Sequence, residues 1–223
     1  EATDPKKLAA EKAVASVQNG MAVGLGTGST AYWAIRLIGE MVKEGMNIKA
    51  VCTSTGTEKL AAEANIPTVA FSEIDHIDLA IDGADEIDPQ KNLIKGGGGA
   101  LLREKIVAFN SKQFIVIADE SKQVAQLGRF PLPVEVLSFG VELTLKHLSA
   151  LCKQAVIRMV NGEIYRTDNG HYITDCHMEQ IKDPGALEGE LKKIPGVLET
   201  GIFLNRKDWK IIIGHTNGNV TIF

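Results

Sequence analysis

The stretch "LIKGGGGALLREK", residues 93–105, sets four consecutive glycines between Lys95 and a carboxylate, Glu104. Glycine loses more conformational entropy on folding than any other residue, so such a run marks a place that needs dihedral freedom or close approach to the backbone. One reading is a loose linker, but linkers are polar and Ser-rich, whereas this run is bounded by Ile94 and by Ala100, Leu101 and Leu102. The other is a loop whose bare N–H groups, with a helix N-terminus behind them, face an anion or a developing negative charge. There Lys95 can neutralise oxyanion charge, and Glu104, held near a cation and partly desolvated, can act as general base. Glu104 stands between Arg103 and Lys105, however, and the local sequence favours an exposed helix residue.

Two further polar clusters invite chemistry. "GLGTGST" at 24–30 lacks the Lys and spacing of GxxxxGK[ST], and Ser29 occupies the third Rossmann glycine position. A dinucleotide site also wants an acid after the next strand, where this chain has Thr53, Ser54 and Thr55. NAD and ATP are thereby disfavoured. What remains is a phosphate cradle made from the amides of Gly28, Ser29 and Thr30, two hydroxyls and a helix N-terminus, or simply a Ser/Thr N-cap on a tight turn. "DGADEID" at 82–88 suggests calcium, but an EF-hand register starting at Asp78 puts Ala80 third and Pro89 twelfth, so that loop fails. Asp82 and Asp85 flank Gly83 closely enough to accept hydrogen bonds from the hydroxyls of one polyol, or to make Asx turns. Glu86 and Asp88 read as solvated turn charge. The histidines form no HxxxH pair, and "CH" at 176–177 is a poor metal signature.

These residues need elements to hold them. Residues 4–18 read as a helix ended by Asn19-Gly20, "MAVGLG" as a buried strand, and 31–43 as an amphipathic helix stopped by Gly45. "IKAVCT", "PTVAF", "IDLAID", "NLIK" and "FIVIA" read as strands, with "TEKLAAEA" a helix among them. That alternation predicts an α/β fold, a Rossmann-like, mainly parallel sheet with helices on both faces, whose ligands gather beyond the carboxyl ends of the strands. After "FPLP" the order becomes strand, helix, two strands, helix, strand, as in a ferredoxin-like α+β unit. The expected division is a catalytic Rossmann-like domain from 1–130 and 205–223, with the smaller domain, 131–204, inserted.

With 44% hydrophobic and 23% charged residues the composition is that of an ordinary globular protein. A formal charge of -4 leaves no basic footprint for nucleic acid. No apolar run approaches a membrane span, and the first residues lack the apolar core of a signal peptide, so the chain reads as cytoplasmic. Cys52, Cys152 and Cys176 are odd in number and widely spaced, which predicts buried thiols, not a disulfide framework.

Taken together, "GLGTGST", "DGADEID", "KGGGGALLREKIVA", "IADESK" and "FPLPVEV" resemble the ribose-5-phosphate isomerase type A family across nearly the whole chain. The resemblance implies reversible conversion of ribose 5-phosphate to ribulose 5-phosphate in the pentose phosphate pathway. It implies no metal or organic cofactor, and a homo-oligomer, most often a dimer and sometimes a tetramer. It makes Glu104 the base that shuttles a proton between C1 and C2 through a cis-enediolate. Asp82, Asp85 and Lys95 become contacts to substrate hydroxyls and the reacting oxygens, Asp85 also helping to open the furanose ring. The amides of Gly97 and Gly98 become the holders of the enediolate oxygen, with Gly96 beside them. Thr27, Gly28, Ser29 and Thr30, with Lys122 and Lys6, take the phosphate, and Gly83 and Ala84 line the sugar. Gly99, where the family varies between Gly and Ala, receives no contact. Two other readings compete. A sugar-phosphate sensor would give Glu104 no role, and no basic helix-turn-helix segment stands before residue 20. An amino-sugar phosphate isomerase or deaminase would want a histidine beside the acidic cluster.

Overall fold

The computed structural model describes residues 4–205 and 209–223. The chain opens with α1 (Pro5–Val14), β1 (Ala22–Leu25), α2 (Ser29–Lys43), β2 (Lys49–Cys52), α3 (Thr55–Glu63) and β3 (Ile77–Asp82). There follow β4 (Glu86–Ile87), β5 (Leu93–Ile94), α4 (Leu101–Asn110), β6 (Ser111–Asp119) and β7 (Leu132–Val136). Next come α5 (Val141–Ser149), β8 (Gln154–Ile157), the hairpin β9 (Met159–Val160) and β10 (Glu163–Ile164), and β11 (Tyr172–His177). The last elements are α6 (Pro184–Lys192), β12 (Val197–Thr200), β13 (Ile202–Phe203), β14 (Lys210–Gly214) and β15 (Val220–Ile222). Two compact units result. One takes the residues up to Ala84, Arg103–Lys122 and those from 209 onward; the other takes Asp85–Leu102 and 123–205.

The first unit is a six-stranded sheet in the order β15-β14-β6-β3-β1-β2, parallel except for β15. Strand alternation sorts its residues by face. Val23, Leu25, Leu79, Ile81, Ile115 and Ile117 point one way and bury against Ala9, Ala10 and Ala13 of α1 and Ala34, Ile35 and Ile38 of α2. Burying each of the larger aliphatic side chains stabilises the fold by roughly 1.5–3 kcal/mol. The opposite face presents Gly24 and Ala80, and a Cβ at Gly24 would come within 2.5 Å of Val107 Cγ1 on α4. Helices therefore cover both faces, as the alternation predicts.

The second unit holds a four-stranded antiparallel sheet in the order β12-β7-β11-β8, the ferredoxin-like arrangement. Leu132, Val134, Val136 and Cys176 of this sheet pack with Val141 and Leu148 of α5 and Leu191 of α6. A small sheet, β13-β5-β4, completes the unit, so "NLIK" is a strand but not part of the parallel sheet.

Two expectations fail. "PTVAF" reduces to one parallel bridge, Ala50 to Thr68, beside β2. The Glu73 carboxylate then accepts the Ala70 amide at 2.7 Å and turns Phe71–Glu73 into a 3-10 helix. Of the three thiols, all free, only Cys176 is buried. Cys52 is half-buried, yet desolvation pushes its pKa up to about 12, which leaves it a thiol at neutral pH.

Candidate active site

In the first unit the turn between β1 and α2 is fixed by what surrounds it. Gly26 touches the Asp82 backbone so closely that a Cβ would lie 2.6 Å from Asp82 Cα. Gly28 has φ 107°, a left-handed value open to glycine, and its carbonyl accepts the Tyr32 amide, the first bond of α2. The amides of Ser29, Thr30 and Ala31 therefore belong to the helix's first turn, where no intrahelical acceptor exists and anions bind. Gly28 and Ser29 are exposed, Thr30 is buried, and Lys6 Nζ donates to Ser29 Oγ at 3.0 Å. Asp4 holds Lys6 in place by capping α1 through the Lys6 amide and accepting Trp33 Nε1. A cleft of about 550 Å³ opens here, lined by Lys6, Gly28, Ser29, Tyr32, Trp33 and Thr57 among others.

Thr27 also lines this cleft. Its hydroxyl lies 2.8–3.1 Å from those of Thr53, Ser54 and Thr57, a cluster anchored in turn by Thr53 on the Leu25 carbonyl and Thr57 on the Gly26 carbonyl. Those threonines and the serine stand where a dinucleotide fold would keep its acid. They brace the cradle, a role that residue types alone did not disclose.

Asp82 ends β3 and is 3% exposed. Its Oδ1 accepts the Thr27 amide at 3.1 Å and the Gly83 amide at 2.7 Å. The carboxylate thus ties the cradle to the turn at Gly83 and Ala84, which are half-buried. Glu104 is 5% exposed despite its charged neighbours. It occupies the buried stripe of α4, at helical spacing with Leu101, Val107 and Ala108, while Ile106 and Phe109 face outward. The expectation of an exposed Glu104 is therefore wrong, and its correction lies in that periodicity. Lys122 sits in the 3-10 turn Glu120–Lys122 after β6 and is half-buried.

In the second unit Asp85 and the glycines form a second site element. The Asp85 amide donates to the Ile94 carbonyl, and its Oδ2 accepts the Gly97 amide at 2.7 Å. Gly97, expected to turn its amide to substrate, gives it to Asp85 here. Gly96 and Gly99 are buried while Gly97 and Gly98 are exposed. Gly96 has φ 106° and Gly99 φ 82°, and a Cβ on Gly99 would run into the Tyr165 ring and hydroxyl. Lys95 is 2% exposed, its amide on the Gly201 carbonyl and its ammonium 5.5 Å from the Phe203 ring centroid.

Glu86 and Asp88 are not solvated turn charge: both are buried. Glu86 accepts the amides of Gly128 at 2.8 Å and Phe130 at 2.6 Å, and Asp88 accepts the amides of Gln90 and Asn92. Among the described residues no group of His, Cys, Asp and Glu side chains is arranged to hold a metal ion, and no helix is long and apolar enough to cross a membrane.

Comparison with known proteins gives this geometry a context. The family model described as ribose 5-phosphate isomerase A (phosphoriboisomerase A) matches residues 49–218. The ribose-5-phosphate isomerase A of Bacillus mycoides is 52% identical over 214 residues, covering 96% of each chain. A D-ribose-5-phosphate isomerase solved in complex with phospho-erythronic acid superposes with TM-score 0.93 at 41% identity, covering 99% of both chains. The enzyme from Methanocaldococcus jannaschii superposes with TM-score 0.91 at 42% identity, over 98% of this chain and 97% of its own. The chain belongs to the ribose-5-phosphate isomerase A family.

Proposed function

We propose how this chain carries out its family's reaction, the interconversion of D-ribose 5-phosphate and D-ribulose 5-phosphate. The N-terminus of α2, the Ser29 and Thr30 hydroxyls, Lys6 and Lys122 hold the phosphate, and that fixed anchor orients C1 and C2. Asp85 assists opening of the furanose. Glu104 then takes the proton from C2 of the open-chain aldose as the C1 carbonyl oxygen gains negative charge, giving a cis-enediolate. Lys95 and the amides of Gly97 and Gly98 stabilise that oxygen, which replaces Asp85 Oδ2 as the acceptor of the Gly97 amide. Glu104 returns the proton to C1, the proton of the C2 hydroxyl passes to the oxygen on C1, and the ketose forms. Asp82, with one oxygen committed to two amides, supplies a rigid acceptor for a sugar hydroxyl.

The observation that carries this reading is Glu104 itself. Its carboxylate lies in the inward-facing stripe of α4, shielded from bulk water, which is the setting in which a general base can be held for proton transfer. The phospho-erythronic acid held by the related structure agrees with it, since a carboxylate there puts charge where an enediolate would. Residues 131–204 read as a ferredoxin-like insertion in the Rossmann-like part formed by 1–130 and 205–223. A cytoplasmic homodimer is the assembly we infer, to be checked by sedimentation.

The test is conversion of ribose 5-phosphate by purified protein with EDTA present and no cofactor added, beside Glu104→Gln. The amide keeps the shape but cannot accept the proton, so kcat falls by about 10³-fold with KM changed only a few-fold. Near-normal kcat in the variant removes Glu104 from the base role.

A further inference from the structure

Arg158 lies where β8 gives way to β9. Its side chain is largely buried, and all three guanidinium nitrogens donate hydrogen bonds. Nε and Nη2 grip the two oxygens of Asp175 at 2.9 and 2.6 Å. Nη1 donates to two successive carbonyls of the glycine run, Gly96 at 2.9 Å and Gly97 at 3.1 Å. Behind it stands Tyr165, whose ring centroid is 5.9 Å from the guanidinium carbon and whose hydroxyl abuts Gly99.

A trans peptide is planar, with its C=O and N–H pointing in opposite directions. The carbonyl of Gly96 shares a peptide with the amide of Gly97, and the carbonyl of Gly97 shares one with the amide of Gly98. One nitrogen of Arg158 therefore fixes the orientation of two N–H groups at once, and they are the two assigned above to the enediolate oxygen. Glycine is the residue least able to hold such an orientation unaided. We propose that Arg158, locked by Asp175, is a positioning residue for the isomerisation: it aims the Gly97 and Gly98 amides and, as a cation on their carbonyls, polarises them as donors. This rests on the reading that those amides hold the developing charge.

Because the charge appears only during reaction, the clamp acts on turnover and not on anchoring of the phosphate. Lysine keeps the charge but loses the fork that grips Asp175 and both carbonyls. In Arg158→Lys and Arg158→Gln, kcat for ribose 5-phosphate falls by about 10–100-fold, below the loss typical of deleting an oxyanion donor outright. KM stays within about threefold, affinity for phospho-erythronic acid weakens in step with kcat, and affinity for inorganic phosphate is unchanged. Asp175→Asn gives the same pattern at smaller size, and carries the test should the Arg158 variants not fold. A kcat within twofold of wild type in folded variants overturns the proposal, as does a parallel loss of phosphate affinity, which marks a merely structural role. Gly98→Pro, which deletes one of the two N–H groups, separates the premise from the clamp. Full activity in that variant sinks the glycine reading itself, whereas loss there with none in Arg158→Lys sinks the clamp alone.

Discussion

The molecule contains two glycine turns of similar length, one in each unit, and they are built on different principles. Both set a carboxylate on backbone amides: Asp82 on Thr27 and Gly83, Asp85 on Gly97. The turn at 26–29 is braced from behind by neutral hydroxyls and leads into a fifteen-residue helix. The turn at 96–99 is braced by an ion pair acting on its carbonyls. On the proposed assignment the first turn holds a phosphate that stays the same throughout the reaction and needs a stationary field, which a helix end and hydroxyls provide. On the same assignment the second turn meets charge that exists only at mid-reaction and needs donors aimed beforehand, and the proposed guanidinium clamp supplies that rigidity where glycine cannot.

Substitutions can break this contrast one side at a time. The largest effect falls on Gly26→Ala, whose new methyl enters the space of Asp82. Stability drops by about 1–3 kcal/mol in denaturant melts. Turnover falls by about 10²-fold because the cradle and Asp82 move together. Retention of wild-type kcat/KM would show the two to be independent. Gly99→Val comes next: it goes beyond the glycine or alanine expected at this position, forces a β-branched residue into positive φ at a cost of about 1–2 kcal/mol and pushes on Tyr165. It lowers kcat by about tenfold while sparing KM, the response of a donor site rather than an anchor. Tyr165→Ala in the same chain recovers part of the loss, and no recovery would mean that backbone strain alone is responsible. Lys6→Ala raises KM by about tenfold with kcat little changed, the equivalent of one charged hydrogen bond to phosphate; an unchanged KM takes Lys6 out of the cradle.

The smallest effect lies outside both turns. Hydrogen bonds from Thr216 and His215 hold the Glu120 carboxyl down at about 2. A depressed folded pKa contributes stability above the ordinary carboxylate value, and that contribution drains away as pH falls from about 4.5 to about 2. Acid titration of wild type against Glu120→Gln should differ over that interval and coincide in slope near neutrality.

Alternating strands and helices, glycine stops and the change of pattern after "FPLP" were all visible as local periodicity, and the elements follow them. Strand order was not, because β6 lies between β3 and β14 for reasons of packing at long range. The same distinction governs the site. The burial of Glu104 was written in the spacing of Leu101, Val107 and Ala108, yet Arg103 and Lys105 pulled the local reading toward solvent. Nothing local could reveal Glu86, whose amide donors come 42 and 44 residues later. Arg158 was hidden likewise, since it grips carbonyls 61 and 62 residues away. The turn at Gly96–Gly99 stood out because glycine announces itself; what steadies it did not.

The place of β14 bears on how the protein is made. It sits inside the main sheet, paired in parallel with β6 from Lys210↔Ile115 to Gly214↔Asp119. Until residues 210–214 leave the ribosome, β6 carries an open row of backbone donors and acceptors along one side, the kind of edge on which chains aggregate. The ferredoxin-like sheet has all its strands by Thr200, so during synthesis it can close first while the Rossmann-like sheet waits for its final partner.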